Sequence, residues 1–258
     1  MAVFLASFEE KREIYWVGLG SNLLVRDRGF DGVIISTAKF LNKIEWQSEY
    51  SKLNVECGVS CAKIARESVK KNMQGLEFLI GIPGTIGGAL KMNAGANGND
   101  TWQSIKSVDV ISREGKIQKL DRGAFDPGYR KINGQNQWFV KASFELEPNQ
   151  KKDGPAKIKK FLSNRKVSQP IGFFSCGSVF INPKDQFAGK LIEECGLKGL
   201  RIGGAVVSEK HANFILNDKK ASATDIEDLI ELVRDTVYKK TGITLECEVK
   251  IIGKKSSG

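Results

Sequence analysis

Histidine is all but missing: His211 is the only one among 258 residues. One imidazole cannot build a multi-histidine metal site, and any Ser-His-Asp or Cys-His mechanism would have to run through it. In its setting, SEKHANFI, the plainer reading is a hydrogen-bonded histidine at a strand edge. The five cysteines, Cys57, Cys61, Cys176, Cys195 and Cys247, are odd in number and contain no C-x-x-C pair. They read as reduced core or surface thiols rather than bridges or zinc ligands, so no metal site is expected. No apolar run approaches the roughly 20 residues of a membrane-spanning helix. The N-terminus, MAVFLASFEEKREIYW, reaches acidic residues early and has no basic region before its apolar stretch, unlike a signal peptide. A cytosolic protein without a membrane partner is the expectation. With 41% hydrophobic and 27% charged residues, long disorder, collagen-like repeats and a disulfide mini-scaffold are excluded. The length accommodates two domains or one elaborate one.

Two quantities run high instead. Forty Lys+Arg against thirty Asp+Glu give a net charge of +10, and there are 27 glycines. The charge calls for an anionic partner, which at this level is nucleic acid, a membrane surface or a phosphate-bearing small molecule. No basic stretch is interleaved with aromatics and no nucleic-acid recognition motif occurs, so nucleic acid is set aside as a partner. The glycines are more selective.

Along the chain, residues 1–12 read as a helix remnant and 14–17 as a short strand. A glycine turn at 18–22 follows, then strands at 23–25 and 33–35 separated by a charged turn. A helix over 60–73 carries an apolar stripe of Cys61, Ile64, Ala65, Ser68 and Val69, with Gly75 as its C-cap. Residues 78–98 are glycine-dense, and strands resume at 107–111 and 138–146. The Lys-, Gly- and Pro-rich segment 148–155 is the best domain boundary. Beyond it come an amphipathic helix (156–165), a loop (169–183) and a helix (187–195) closed by Gly196. A further helix starts at the capping box Thr224-x-x-Glu227 and ends at Gly242. A final strand alternates Ile243, Leu245, Cys247, Val249 and Ile251 against Thr244, Glu246, Glu248 and Lys250. Residues 254–258 read as a frayed tail.

Gly18-Leu19-Gly20-Ser21-Asn22 begins like a dinucleotide fingerprint, but the third glycine would fall on Leu23, and Leu23-Leu24-Val25 reads as strand rather than helix. Such a turn can still point backbone N–H groups at an anion. Taken alone, a glycine hairpin between the two flanking strands is the plainer reading. The second stretch, 81–98, holds six glycines in 18 residues with almost no charge. It lacks the Gly-Lys-Ser/Thr of a P-loop. One or two glycines suffice for a turn, so six imply that backbone lies close to something flat or phosphorylated. Two such stretches together favour a large dinucleotide-like cofactor.

At this point the residues match a known family. LGSNLLVRDRGFDGVII, GIPGTIGGALKMNAGANG, GYR, SCGSVFINP, AGKLIEECGLKGLRIGGAVVSEKHANFILN and LECEVKIIG occur in order between Tyr15 and Gly253. Together they resemble the UDP-N-acetylenolpyruvoylglucosamine reductases (MurB) of peptidoglycan synthesis, in their compact subclass. The resemblance implies an α+β fold. It comprises an FAD-binding domain of the vanillyl-alcohol-oxidase (PCMH) type over 1–150, a smaller α/β substrate-binding domain over 156–245, and a C-terminal strand and tail over 246–258 returning to the active site. It implies FAD as cofactor, NADPH as reductant, the enolpyruvyl ether of UDP-N-acetylglucosamine as substrate, and a monomer.

Carried over residue by residue, the resemblance gives Gly18, Gly20, Ser21 and Asn22 to the FAD diphosphate, and Gly84, Thr85, Gly87, Gly88, Asn93 and Gly95 to the second flavin-cradling stretch. It makes Arg130 the active-site arginine beside Tyr129, and Asn182 a substrate-pocket asparagine. Ser178 becomes the proton-delivering serine and Glu248 the C-terminal catalytic glutamate. Without the family, Ser178 reads as a turn serine, Arg130 as a surface arginine and Glu248 as an exposed strand residue across from Lys250. Glu246 shares the face of Glu248, and only the match to the family's Glu-Val step separates them. Cys176 reads as a small filler, having no base nearby in sequence.

The sequence departs from the family at its front, beginning about one helix before the first glycine turn where members have several tens of residues. The expectations are a misassigned start or lost first strands, the latter uncovering an edge and thinning the cofactor-domain core. A truncated, non-catalytic homologue with weak or no FAD binding is the alternative reading. Smaller departures are Ile181, where lysine is common, Lys131-Ile132 after the arginine, where serine is usual, and Asn97, where an aromatic often sits.

Overall fold

The computed structural model describes residues 1–8, 12–47, 51–133 and 137–255, with the side chain of Asn133 excepted. Residues 9–11 of the N-terminal segment and the last three residues of the tail lie outside it. In chain order the elements are α1 (Ala2–Ala6), β1 (Glu13–Val17), β2 (Leu23–Val25), β3 (Gly32–Ser36), β4 (Ile44–Gln47), β5 (Lys52–Glu56) and α2 (Cys61–Lys70). A 3-10 turn at Glu77–Gly81 precedes α3 (Ile86–Lys91), β6 (Ile105–Ile111), β7 (Ile117–Asp121), β8 (Asp126–Gly128), β9 (Lys131–Asn133) and β10 (Trp138–Glu145). Then come α4 (Gly154–Ser168), α5 (Ala188–Glu194), β11 (Arg201–Ile202), β12 (Ala205–Val207), β13 (Ile215–Asn217), α6 (Ala223–Thr241) and β14 (Lys250–Ile252).

The chain forms two compact units. The first is Met1–Leu19 with Gly32–Arg165, and the second is Gly20–Asp31 with Lys166–Gly258. The division falls within α4, later than the segment 148–155, because the front of this helix packs on the first unit. Gly154 lies against Val69, Lys157 reaches Glu77 at 3.6 Å, and Ile158 and Phe161 touch the core. The helix is also longer than 156–165, and apart from those contacts its side chains are largely exposed, so it is barely amphipathic.

In the first unit an antiparallel sheet runs β7-β6-β10-β5-β4. Alternation puts Leu53 and Val55 of β5 and Val108 and Val110 of β6 on one face, against Ile64 and Ala65 of α2. On β10 the parity changes between Phe139 and Ala142. A bulge at that point keeps both residues, and Phe144, inside the core. Trp102 is fully buried there, donating from Nε1 to Leu90 O at 2.9 Å, with the Phe125 ring 4.8 Å away. Phe125 immediately precedes β8 and so anchors the β8–β9 hairpin to the core. A small cluster of Leu5, Ile14 and Ile111 lies beside the parallel pair β1–β3.

In the second unit, β11-β12-β13 form an antiparallel sheet, and β2 pairs in parallel with β14. Ala188, Leu191 and Ile192 of α5 and Leu229, Ile230, Val233 and Val237 of α6 supply the core.

Four local expectations change. The turn at 18–22 is not a hairpin, since β1 pairs with β3 and β2 with β14. Helix α2 ends at Lys70 and is capped by Lys71, with Asn72 in the left-handed region (φ 59°), so Gly75 is not its cap. The capping box of α6 is Ser222 with Asp225, each accepting from the other's N–H at 3.0 Å. Thr224 and Glu227 are diverted to Asp27 and Arg26. Finally, of the C-terminal alternating segment only Lys250–Ile252 is strand, although Leu245 and Val249 are buried and Glu246 exposed as the alternation implies. Gly242 closes α6 at φ 74°, where a left-handed residue is needed.

Candidate active site

In the first unit the two glycine stretches touch. A Cβ at Gly18 would lie 2.3 Å from Thr85 Oγ1, so no larger residue fits opposite this buried threonine. Thr85 in turn accepts from Gly88 N at 3.4 Å and starts α3. Backbone bonds Ile86 N to Val59 O (2.9 Å), Gly87 N to Cys57 O (2.8 Å) and Cys61 N to Gly84 O (3.0 Å) fix the stretch beside α2. Gly87 is required by crowding against Cys57, and Gly95 by Asn99 O, 2.7 Å from where a Cβ would stand.

Gly88 and Gly81 are different. An added Cβ meets nothing nearer than 3.9 Å at the first and nothing within 4 Å at the second, and neither has a positive φ. Nothing in the chain's own packing or backbone demands glycine there. A flat or phosphorylated group lying on the backbone would, and the open space beside both glycines leaves room for one, so these residues fit a dinucleotide cofactor.

Asn93 and Gly95 work further along. Asn93 is buried, and its Nδ2 donates to Gly128 O at 3.1 Å while its Oδ1 accepts from Trp102 N at 3.4 Å. Gly95 O accepts from Arg130 Nη1 at 3.5 Å. Both therefore brace the β8–β9 hairpin, at whose tip Arg130 is held at φ 58°, an uncommon conformation for a side-chain-bearing residue. Its guanidinium lies over the Tyr129 ring, 5.4 Å from the centroid.

The second unit gathers the other candidates from distant parts of the chain. Gly20 takes φ 70° and its O accepts from Leu23 N, closing the turn that carries the half-buried Ser21. Asn22 Nδ2 donates to Glu248 O at 3.1 Å, and Asn22 O accepts from Lys250 N at 3.0 Å. Glu248 N donates to Val179 O at 2.7 Å, one residue past the half-buried Ser178. The turn, the serine and the half-buried glutamate thus share one hydrogen-bonded backbone array. Glu246 is instead exposed, its O accepting from Ile181 N at 2.8 Å. Asn182 Oδ1 accepts from Ala188 N at 3.0 Å, at the start of α5.

Beneath this array, Arg26 grips Glu227 bidentately (Nε and Nη2, both 2.8 Å) and donates from Nη1 to Gly253 O at 2.9 Å. Asp27 accepts from Ala223 N (2.8 Å), Thr224 N (2.9 Å) and Thr224 Oγ1 (2.8 Å). Both carboxylates are held below their ordinary range, Glu227 by the guanidinium and Asp27 by the helix N–H groups.

Burial pushes the Cys176 thiol up, and its Sγ donates to Leu23 O at 3.2 Å, which suits a filler rather than a nucleophile. His211 is hydrogen-bonded in the turn before β13. Its Nδ1 accepts from Asn213 N at 3.3 Å, and burial holds its pKa down. Sequence reasoning missed Asn213, which is buried and bonds both polar groups of Phe180. The one signal for it was an amide amid the apolar residues of HANFIL. Among the described residues no group of three or more His, Cys, Asp or Glu side chains could hold a metal ion.

Residues 3–121 match the FAD binding domain family, and residues 169–252 match the C-terminal domain of UDP-N-acetylenolpyruvoylglucosamine reductase. The fold and site thus define a flavoprotein oxidoreductase with two domains. The chain is 48% identical over 98% of its length to the UDP-N-acetylenolpyruvoylglucosamine reductase of Legionella pneumophila (strain Corby), of which it covers 82%. It is 45% identical over its whole length to that of Alkalilimnicola ehrlichii, of which it covers 86%. The solved MurB from Thermus caldophilus superposes with a TM-score of 0.81 at 31% identity, covering 95% of this chain and 87% of that one. The chain belongs to the UDP-N-acetylenolpyruvoylglucosamine reductase family.

Proposed function

We infer that the protein reduces the enolpyruvyl ether of UDP-N-acetylglucosamine to UDP-N-acetylmuramate with NADPH, in peptidoglycan synthesis. Beyond family membership, the observation that carries this reading is the array joining the Gly20–Ser21–Asn22 turn, Ser178 and Glu248. It brings a diphosphate-type turn and an acid–base pair of residue types into one unit. Bound FAD supplies a hydride carrier between NADPH and the substrate double bond. Gly18, Gly20, Ser21, Asn22, Gly84, Thr85, Gly87 and Gly88 are the residues that would hold it. Asn93 and Gly95 serve it indirectly, through the hairpin they brace.

When hydride reaches the terminal carbon of the enolpyruvyl group, the electron pair of the double bond moves onto the carboxylate as an enolate. Arg130, pre-set at its hairpin tip and stacked on Tyr129, holds that carboxylate bidentately and offsets the growing charge. Glu248 adds to this by sharing a proton with the enolate. Ser178 delivers a proton to the adjacent carbon as general acid. Asn182, which accepts from the first N–H of α5, and Tyr129 are the further residues assigned to the substrate. The C-terminal segment that begins at Glu246 contributes Glu248 to the reaction. The basic surplus attracts FAD, NADPH and the UDP-sugar, which all carry a diphosphate. On this reading the protein is a cytoplasmic monomer whose basic surplus serves these small anions rather than nucleic acid or a membrane surface. Among the described residues no helix is long and apolar enough to cross a membrane.

The test is a pair of half-reactions on the purified yellow protein. NADPH should bleach the flavin with or without substrate, and the enolpyruvyl sugar nucleotide should restore the colour. Ser178→Ala should keep the first and lose the second. Recolouring at the wild-type rate would remove Ser178 from the mechanism.

A further inference from the structure

We propose that Asn213 is the positioning residue that aims Ser178, acting as one peptide unit of a missing strand. The inference rests on the reading of Ser178 as proton donor.

Phe180 makes a lone antiparallel bridge with Cys247, and that bridge uses the groups of its neighbours: Glu248 N donates to Val179 O at 2.7 Å, and Ile181 N to Glu246 O at 2.8 Å. In such a pairing the N–H and C=O of Phe180 itself point the other way. Phe180 is 1% exposed, so water cannot satisfy them. The Asn213 carboxamide does: Phe180 N donates to Oδ1 at 2.9 Å, and Nδ2 donates to Phe180 O at 2.8 Å. A carboxamide offers donor and acceptor in one neutral plane, in the spacing of a backbone peptide, whatever the pH. The backbone of the same turn continues the pattern, with Val179 N on Asn213 O at 2.8 Å and a bridge between Ser178 and Phe214.

The turn carrying Asn213 is itself locked. Ser208 N donates to Phe214 O at 2.8 Å, Ser208 Oγ accepts from Lys210 N and His211 N, and His211 Nδ1 accepts from Asn213 N. The segment 178–181 is therefore clamped from both edges, by the Asn213 turn on one and by 246–248 on the other. Ser178 and Glu248 share that clamp, so their mutual placement depends on Asn213 although it need touch neither reactive group.

The experiment compares wild type, Asn213→Ala, Asn213→Asp and Ser178→Ala as FAD-loaded proteins in stopped flow. Asn213→Ala should leave flavin bleaching by NADPH within about twofold and slow recolouring by the enolpyruvyl substrate at least about tenfold, a share of what general acid catalysis supplies. In Asn213→Asp the ionised side chain loses the donor toward Phe180 O, whereas the protonated acid regains one donor and one acceptor. Its recolouring rate should therefore recover as pH falls, where wild type shows no such gain. Independently of turnover, the Phe180 amide should exchange with solvent faster in Asn213→Ala than in wild type.

Equal slowing of both half-reactions, or an Asn213→Asp rate that ignores pH, would overturn the inference. If Asn213→Ala does not fold, the pH profile of Asn213→Asp and its amide exchange decide alone. If Ser178→Ala recolours normally, the reading of Ser178 fails. If it does not, while the Asn213 variants recolour like wild type, only the positioning role fails.

Discussion

The contact between the glycine stretches can be tested with a double-mutant cycle. Gly18 does not occupy the left-handed region, so alanine there meets no backbone strain, only crowding. Its Cβ would stand 2.3 Å from Thr85 Oγ1, 3.0 Å from Cγ2 and 3.2 Å from Cβ. Thr85 cannot turn away cheaply, because it is buried and its Oγ1 caps α3. Gly18→Ala should therefore cost about 1–3 kcal/mol, the usual range for overpacking. Thr85→Ala alone should cost about 0.5–1 kcal/mol, the lower part of the range for a cap, since that bond is 3.4 Å long. It removes Oγ1 and Cγ2 and leaves only the 3.2 Å approach, which a shift of a few tenths of an ångström relieves. The double variant should thus be little worse than Thr85→Ala, giving a coupling of roughly 1–2 kcal/mol. Urea unfolding of the four proteins, followed by the fluorescence of the buried tryptophan, measures it. Additivity within about 0.5 kcal/mol would show that the two side chains do not meet.

Acid should weaken the second unit. Asp27, Asp225 and Glu227 all titrate below their ordinary values, so the stability they add is full only above about pH 5, where the unfolded carboxyls are ionised, and is lost as pH falls through the depressed native values. Thermal unfolding followed down to about pH 2 should show the midpoint dropping, and a flat profile would contradict the carboxylate contacts. Burial raises the Cys57 thiol strongly and the Cys61 thiol to about 12, so neither should react with a thiol reagent at about pH 8 until the protein unfolds. Labelling of either at the rate of a free thiol would refute their burial. Arg130→Lys keeps the charge but loses the bidentate fork and the ring contact, so recolouring of the flavin by substrate should slow about a hundredfold while bleaching by NADPH persists. Similar rates for lysine and arginine would argue against a fork on the carboxylate.

The sequence made local features legible and long-range ones much less so. The apolar stripe from Cys61 to Val69 announced α2, and Gly196 and Gly242 announced the ends of α5 and α6, because periodicity and caps are local chemistry. The start of α6 was ambiguous for a physical reason. Ser222-x-x-Asp225 and Thr224-x-x-Glu227 both fit a capping box, and the choice was made by Asp27 and Arg26, some two hundred residues earlier. The same distance hid the pairing of β2, whose three apolar residues suit a hairpin as well as a parallel partner. Ser178 and Glu248 were named only through their family motifs, since a half-buried serine and a strand glutamate carry no local mark of function. Asn213 had not even a motif role. Its task exists only because Phe180 spends its neighbours' hydrogen bonds on Cys247 and turns its own outward.

The bond between Asn22 and Glu248 spans 226 residues, and β2 meets β14 at the same remove. Doubling a loop costs only about 0.6 kcal/mol, so the span matters little once the protein is folded. It matters during synthesis. At about 5–20 residues per second, β2 emerges roughly 10–45 s before the strand that pairs with it. Throughout that interval Leu23, Leu24 and Val25 have no ladder, and until α6 is made Arg26 and Asp27 have no helix to hold, while β1 and β3 on either side already have each other. The newborn chain therefore carries a looped-out apolar strand that only the synthesis of β14 can retire. That interval is when misassembly or capture by a chaperone competes with folding.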